Sequence, residues 1–163
     1  MSADRSEACR ATLLRAIQIE TRNAGVYDSL AQLFHGYDES VRALFLEMAA
    51  EERQHGDDLE RRYRERFGPV PSPAGEAKEV IEAPDLDDPE ALIFDSMTSE
   101  RALEVGLRAE EMAREFYRGE VARTTDSELH QLFGELAEFE ETHVRLLTEK
   151  LAERRHEPDS SGR

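Results

Sequence analysis

Two Glu-x-x-His pairs lie among regularly spaced apolar residues of this 163-residue sequence, as Glu52 with His55 and Glu140 with His143. Residues three positions apart share one face of a helix, so the carboxylate and the imidazole of each pair can reach one metal ion. Glutamate is abundant in the chain, so the pattern alone is weak evidence. The apolar residues on both sides make each pair a candidate metal-ligand set.

A third pair, Glu153 with His156, has a different setting. It lies beside Arg154 and Arg155, near the end of the chain, and no apolar stripe surrounds it. We therefore predict that this pair is solvated surface and binds no metal.

The apolar stripes repeat along the chain. The two series that hold the pairs match at an offset of 88 residues, and two other series, each with a single glutamate, match at an offset of 90 residues. Apolar residues spaced by three and four positions indicate amphipathic helices, so the sequence predicts two copies of a helical hairpin. The paired series are Val41, Phe45, Met48, Glu52, His55, Leu59 with Leu129, Phe133, Leu136, Glu140, His143, Leu147, and Leu13, Ile17, Glu20, Tyr27 with Leu103, Leu107, Glu110, Tyr117.

Four glutamates occupy core positions in this pattern: Glu20, Glu52, Glu110 and Glu140. Each lies about the same distance along its helix from the turn of its hairpin, so all four should meet at mid-bundle. An unpaired buried carboxylate costs several kcal/mol and must be neutralised by a proton, a cation or a metal. A buried salt-bridge cluster is the alternative, but no core-facing Lys or Arg is predicted at that level.

Two single glutamates and two Glu-x-x-His motifs, all facing inward, are the ligand set of di-iron and di-manganese carboxylate bundles. Oxygen and imidazole ligands suit iron or manganese, and zinc less distinctively. The predicted metal ligands are Glu20, Glu52, His55, Glu110, Glu140 and His143.

Tyr27 and Tyr117 each lie seven residues, two helical turns, after a single glutamate. One interpretation is that each hydroxyl hydrogen-bonds a metal-binding carboxylate or supplies an electron. The alternative is a core aromatic residue whose hydroxyl finds a partner elsewhere. The matched placement in both halves favours the first interpretation.

Three polar residues fall off the stripes and are predicted to lie on the surface: Glu51, His35 and His130. Gly106, one turn before a core glutamate, is interpreted as a point of close helix packing. Cys9 has no thiol partner in the chain, and we assign it no role.

Proline and glycine punctuation divides the chain into four predicted helices, at about 4–34, 39–67, 99–122 and 126–155. Asp38 is the predicted N-cap of the second helix, and Thr125 with Glu128 is a predicted capping box for the fourth. Residues 68–98 form a crossover, with one short helix possible at Pro89, and 156–163 form a disordered polar tail. We therefore expect one all-α domain over residues 1–155, a four-helix bundle of two antiparallel hairpins joined by one long crossover.

Composition restricts the class of protein. The chain has 21 Lys and Arg against 37 Asp and Glu, a net charge of −16, which disfavours nucleic-acid and anionic-membrane partners and attracts cations. One cysteine excludes an internal disulfide and any CxxC metal knuckle. There is no apolar run of membrane-spanning length and no signal-peptide pattern. We expect a cytoplasmic protein.

Four segments resemble the rubrerythrin family of the ferritin-like superfamily: IETRNAGVY (19–27), AEERQH (50–55), AEEMAREFY (109–117) and EFEETH (138–143). The resemblance covers about residues 8–152. It implies a ferritin-like bundle with a di-iron centre that Glu52 and Glu140 bridge. It further implies that Glu20 and His55 serve one iron, that Glu110 and His143 serve the other, and that the centre reacts with O₂ or hydrogen peroxide.

Two features depart from the family pattern. Rubrerythrins carry a rubredoxin-like domain that needs four cysteines, and this chain has one. They also carry a further glutamate one turn after the first ligand of the third helix, where this chain has Ala113. Six ligands resemble the bacterioferritin pattern more closely, which weakens the expectation of a peroxidase.

The sequence thus predicts a non-haem dimetal oxidoreductase, a ferroxidase or a rubrerythrin-like peroxidase, with two iron ions and an external electron donor. Manganese or zinc are the alternative metals. The alternative function is iron or manganese handling without turnover, and a helical interaction module with a relic site is a third. A homo-oligomer is expected, with a dimer favoured.

Overall fold

A computed structural model describes residues 3–71 and 97–156 as four helices: α1 Ala3–Leu33, α2 Glu39–Phe67, α3 Ser99–Arg123 and α4 Ser127–His156. The described residues contain no strand, and the all-α prediction is confirmed. All predicted helix ends agree with these bounds to within one residue. The possible short helix at Pro89 and the predicted tail beyond His156 lie outside the described residues.

Contacts between helix ends define the topology. Arg66, near the end of α2, donates to Asp126 at the start of α4 over 2.9 Å, so these two helices run antiparallel. At the opposite end of the bundle, Ser99 Oγ donates to Asp38 Oδ2 over 2.6 Å, which places the start of α3 beside the start of α2. The end of α2 and the start of α3 therefore lie at opposite ends of the bundle.

The turn and the caps fix where α1 and α2 meet. Gly36 has φ of 76°, a left-handed conformation that glycine adopts without the steric cost of a side chain. Asp38 then accepts a hydrogen bond from the Val41 backbone N–H over 3.2 Å, so the predicted N-cap is confirmed.

The predicted capping box of α4 is wrong. The carboxylate of Asp126, rather than the hydroxyl of Thr125, accepts hydrogen bonds from the backbone N–H groups of Glu128 and Leu129, over 3.0 and 3.1 Å. A carboxylate satisfies two free N–H groups at once, and its charge also pairs with Arg66. The helix therefore begins at Ser127.

The apolar core is divided into two clusters. The first apolar cluster includes Leu13, Ile17, Leu59, Tyr63, Ala113, Tyr117, Phe133 and Leu136. The second apolar cluster includes Tyr27, Leu30, Phe34, Phe45, Met48, Leu103 and Leu147. Along every helix the core glutamate lies between residues of the first cluster and residues of the second. The bundle thus contains a polar layer closed above and below by apolar side chains.

Gly106 allows the helices to approach closely beside this layer. A Cβ atom at Gly106 would lie 3.3 Å from Phe45 Cε1, 3.4 Å from Tyr27 Cε1 and 3.5 Å from Leu147 Cδ1. The glycine therefore makes room for the aromatic rings of the second apolar cluster, which agrees with the packing interpretation.

Candidate metal centre

The six predicted ligands lie in the polar layer. The four glutamates are 0 % exposed, the side chain of His143 is 2 % exposed, and that of His55 is 11 % exposed. Ligand atoms of two groups of four residues approach one another within 4.8 Å: Glu20, Glu52, His55, Glu140, and Glu52, Glu110, Glu140, His143. Both groups contain Glu52 and Glu140. The two groups thus adjoin each other and share two carboxylates.

Both histidines turn Nδ1 toward the carboxylates. His55 Nδ1 lies 3.3 Å from Glu20 Oε2. His143 Nδ1 lies 3.1 Å from Glu110 Oε2 and 3.2 Å from Glu52 Oε1. Each histidine is thus paired with the single glutamate of its own hairpin, which it meets across the hairpin rather than along its own helix.

Many buried polar atoms of the layer have no hydrogen bond. Among the described residues, Glu20 Oε2, both carboxylate oxygens of Glu52, both of Glu140, and His55 Nδ1 have no hydrogen-bond partner. Buried polar atoms are nearly always satisfied, and an unsatisfied carboxylate is especially costly. A pair of divalent cations would satisfy all six atoms at once, so the residues present fit a dimetal centre.

Burial and mutual repulsion control protonation of the layer. Burial raises the pKa of Glu52 well above its ordinary value, and neighbouring carboxylates raise it further. Burial also raises the pKa of Glu140, and its contact with Glu110 adds to this. For Glu110, burial raises the pKa, but its contacts with Glu140 and His143 outweigh burial and lower the pKa. For His143, burial favours the neutral ring, but hydrogen bonds to carboxylates outweigh it and raise the pKa. Without metal, bound protons must therefore neutralise part of the negative charge of these carboxylates.

The two tyrosines reach across from one hairpin to the other. The Tyr27 hydroxyl donates to Glu110 Oε1, and the Tyr117 hydroxyl donates to Glu20 Oε1. Both side chains are fully buried, and burial, followed by the adjacent carboxylate, raises the pKa of each well above its ordinary value. Each hydroxyl thus stays protonated and orients the carboxylate of a single glutamate.

Glu51 is partly exposed, as expected for a residue off the core stripe, but it also makes a contact that the sequence does not predict. Its side chain is 45 % exposed, but its Oε2 lies 2.7 Å from His143 Nε2, on the ring edge that faces away from the other carboxylates. Helical phase excludes Glu51 from the core stripe of α2, but its length lets it reach α4. One signal in the sequence could have identified this role of Glu51. Its carboxylate directly precedes a core glutamate, on a helix that faces the other hairpin.

The other surface predictions agree with the structure. His35 and His130 are exposed. Glu153 and His156 are exposed as well, and Glu153 pairs with Lys150 over 3.0 Å. The third Glu-x-x-His pair is therefore separate from the polar layer.

Ala113, where rubrerythrins have a further glutamate, is buried in the first apolar cluster.

Comparison with known protein families matches residues 11–151 to the rubrerythrin family. The chain belongs to the rubrerythrin family. Members of this family bind a di-iron centre, and the carboxylate and histidine cluster of this chain is a site that could hold metal. No curated protein matches the chain.

Two solved structures support the ferritin-like fold of this rubrerythrin-family chain. An uncharacterised conserved protein from Magnetospirillum magnetotacticum MS-1 is 24 % identical with a TM-score of 0.70, covering 93 % of this chain and 97 % of that one. A hypothetical protein from Pyrococcus furiosus is 22 % identical with a TM-score of 0.66, covering 88 % and 87 %. Within the described residues, no helix combines the length and apolar character needed to cross a membrane.

Proposed function

We propose that this chain is a di-iron carboxylate protein that reacts with O₂ or hydrogen peroxide, as a ferroxidase or a peroxidase-type oxidoreductase. The observation that carries the proposal is the pair of ligand groups that share Glu52 and Glu140 within one buried layer. Several buried carboxylate oxygens here have no hydrogen-bond partner, and neither ligand group contains Lys or Arg among its described residues. This favours cations over a structural salt bridge.

Each residue has a defined part in holding the ions. Glu20 and His55 would hold one iron, and Glu110 and His143 the other, with Glu52 and Glu140 between them. When bound, a pair of ferrous ions supplies the two electrons that reduce one molecule of oxidant.

The surrounding residues control access and orientation. The two apolar clusters exclude bulk water above and below the layer, which strengthens every electrostatic interaction within it. The hydroxyl groups of Tyr27 and Tyr117 each fix one oxygen of a carboxylate and leave its other oxygen directed at the layer. These hydroxyls also hold a proton directly beside the site.

Turnover needs an external electron donor, which we propose to be a separate reductant in a reducing, cytoplasmic setting. A single cysteine cannot form the four-cysteine iron site that accompanies rubrerythrins. The same observation fits equally the second candidate function, which is iron or manganese handling without turnover. Ala113, in place of a further carboxylate, favours this second function.

An anaerobic Fe(II) titration followed by oxidant tests the proposal. Binding should saturate at two ions per chain. Addition of O₂ or hydrogen peroxide to separate samples should then give an absorbance change that repeats when a reductant is supplied. One stoichiometric oxidation that does not repeat would identify the handling protein instead.

A matched pair of variants separates site binding from surface binding. Glu140→Ala should lower the iron stoichiometry, because it removes a carboxylate shared by both groups. Glu153→Ala, which alters the same local motif on the same helix, should leave two ions per chain. Absence of both iron and manganese binding in the unaltered chain would refute both candidate functions.

A further inference from the structure

The two histidines occupy equivalent positions in the repeat, but their outer ring edges meet different residues. At the repeat offset of 88 residues, His55 corresponds to His143, and Glu51 corresponds to Phe139. Glu51 lies 2.7 Å from His143 Nε2. Phe139 packs against the other ring, with its centroid 4.9 Å from that of His55 and the planes at 53°. The same position of each hairpin thus contacts the histidine of the other, once with a carboxylate and once with a phenyl ring.

This difference affects the tautomer, orientation and basicity of each imidazole, and so how strongly it binds a cation. An imidazole that binds metal through Nδ1 carries its proton on Nε2, and an acceptor at Nε2 fixes the tautomer and the ring orientation and makes the ligand more basic. Glu51 provides that acceptor for His143. Over residues 3–71 and 97–156, His55 Nε2 has neither a hydrogen bond nor an ion pair.

Differences in burial and charge also favour a cation at His143 over one at His55. The side chain of His143 is 2 % exposed, whereas that of His55 is 11 % exposed and Phe139, which covers it, is 50 % exposed. Glu51 also brings a further negative charge to the group that contains His143. Phe139 brings no charge to the group that contains His55.

We propose that Glu51 is a positioning residue that makes the two metal positions unequal, so that the ion at His143 is held more tightly than the ion at His55. The inference rests on the proposed function, since it requires two metal ions in the layer. Removal of such an outer partner of a ligating histidine typically costs 10–100-fold in metal affinity, so the two dissociation constants should differ by about that factor.

The test is an anaerobic Fe(II) titration of the full chain against a competing chelator, repeated with Mn(II). The unaltered chain should show two binding steps. Glu51→Ala should weaken the tighter step about 10–100-fold and leave the weaker step unchanged. Glu47→Ala removes the same charge one turn earlier on the exposed face of α2, and it should change neither step.

The reciprocal variant uses the repeat itself. Phe139→Glu places a carboxylate at the position equivalent to Glu51 and should strengthen the weaker step. Phe139 is half exposed, so its replacement removes little of the core. Combined with Glu51→Ala, it should exchange the order in which the two positions fill.

A double-mutant cycle shows which histidine Glu51 acts through. Glu51→Ala should have no further effect on metal affinity in a His143→Ala background and its full effect in a His55→Ala background. Equal affinities in the unaltered chain, a Glu51→Ala variant that weakens both steps alike or neither, or the same loss in Glu47→Ala would overturn the inference. A chain that binds no metal fails differently, because it refutes the proposed function first.

Discussion

Replacement of Glu52 by glutamine should stabilise the metal-free protein and remove the stabilisation that metal provides. Glu52 is fully buried, neither of its oxygens has a hydrogen-bond partner among the described residues, and its pKa is raised by burial and by neighbouring carboxylates. At neutral pH its folded form must either take up a proton or bury a charge. A neutral amide of nearly the same shape avoids that cost.

The two effects have magnitudes that a melting experiment resolves. Each pKa unit by which burial raises a carboxyl group corresponds to about 1.4 kcal/mol, and each kcal/mol shifts the melting temperature of a chain this size by about 2–4 °C. The metal-free variant should therefore melt several degrees above the unaltered protein. A ligand at a hundredfold excess over its dissociation constant adds about 2.7 kcal/mol, or roughly 5–10 °C, and the variant should lose most of this shift.

The assay is thermal unfolding by circular dichroism, with a chelator and then with excess Fe(II) under anaerobic conditions or Mn(II) in air. Glu153→Gln is the matched control, since it makes the same substitution in the exposed motif of α4, and both of its melting temperatures should equal those of the unaltered protein. A metal-free Glu52→Gln variant that melts well below the unaltered protein would refute the protonation argument. A variant that keeps the full metal-induced shift would refute the assignment of Glu52 as a ligand.

Three other perturbations follow from the same geometry. Burial raises the pKa of both Glu52 and Glu140, so their contribution to stability is present at acid pH and is lost as the pH rises through the raised pKa values. The melting temperature of the metal-free protein should therefore fall as the pH is raised above the ordinary carboxyl range, and that of the metal-loaded protein should not. Tyr27→Phe and Tyr117→Phe each remove one hydrogen bond to a carboxylate while the ring stays packed, and each should lower the free energy of unfolding by about 1.5–3 kcal/mol in urea titrations, with the two values alike. Asp126→Ala should cost about 1–2 kcal/mol in the same assay, because it leaves two helix N–H groups without a partner.

The helices and the polar layer could be predicted from the sequence because both follow from local periodicity. Apolar spacing sets which residues of each helix face inward, and Gly36 and Asp38 mark the first turn. The repeat then places the four glutamates at one level. None of these inferences requires knowledge of how the hairpins dock.

The features that were missed depend on contacts between elements. Glu51 is off the stripe by helical phase, and only the docking of α2 against α4 brings its carboxylate to His143. The residue that caps α4 is Asp126 rather than Thr125, and Asp126 gains a partner, Arg66, from another helix. The sequence also shows that Tyr27 and Tyr117 are equivalent, but not that each hydroxyl crosses to the glutamate of the other hairpin.

Neither hairpin contains a complete cation position. Each ligand group takes three residues from one hairpin and one from the other, either Glu140 or Glu52. A half-length chain with a single hairpin would therefore complete the centre only as a symmetric dimer. The twofold axis of that dimer would make its two ion positions identical. When both hairpins belong to one polypeptide, the two positions need not be identical. Positions 51 and 139 can then diverge, and under the proposed function a single molecule would hold one ion firmly while it exchanges the other.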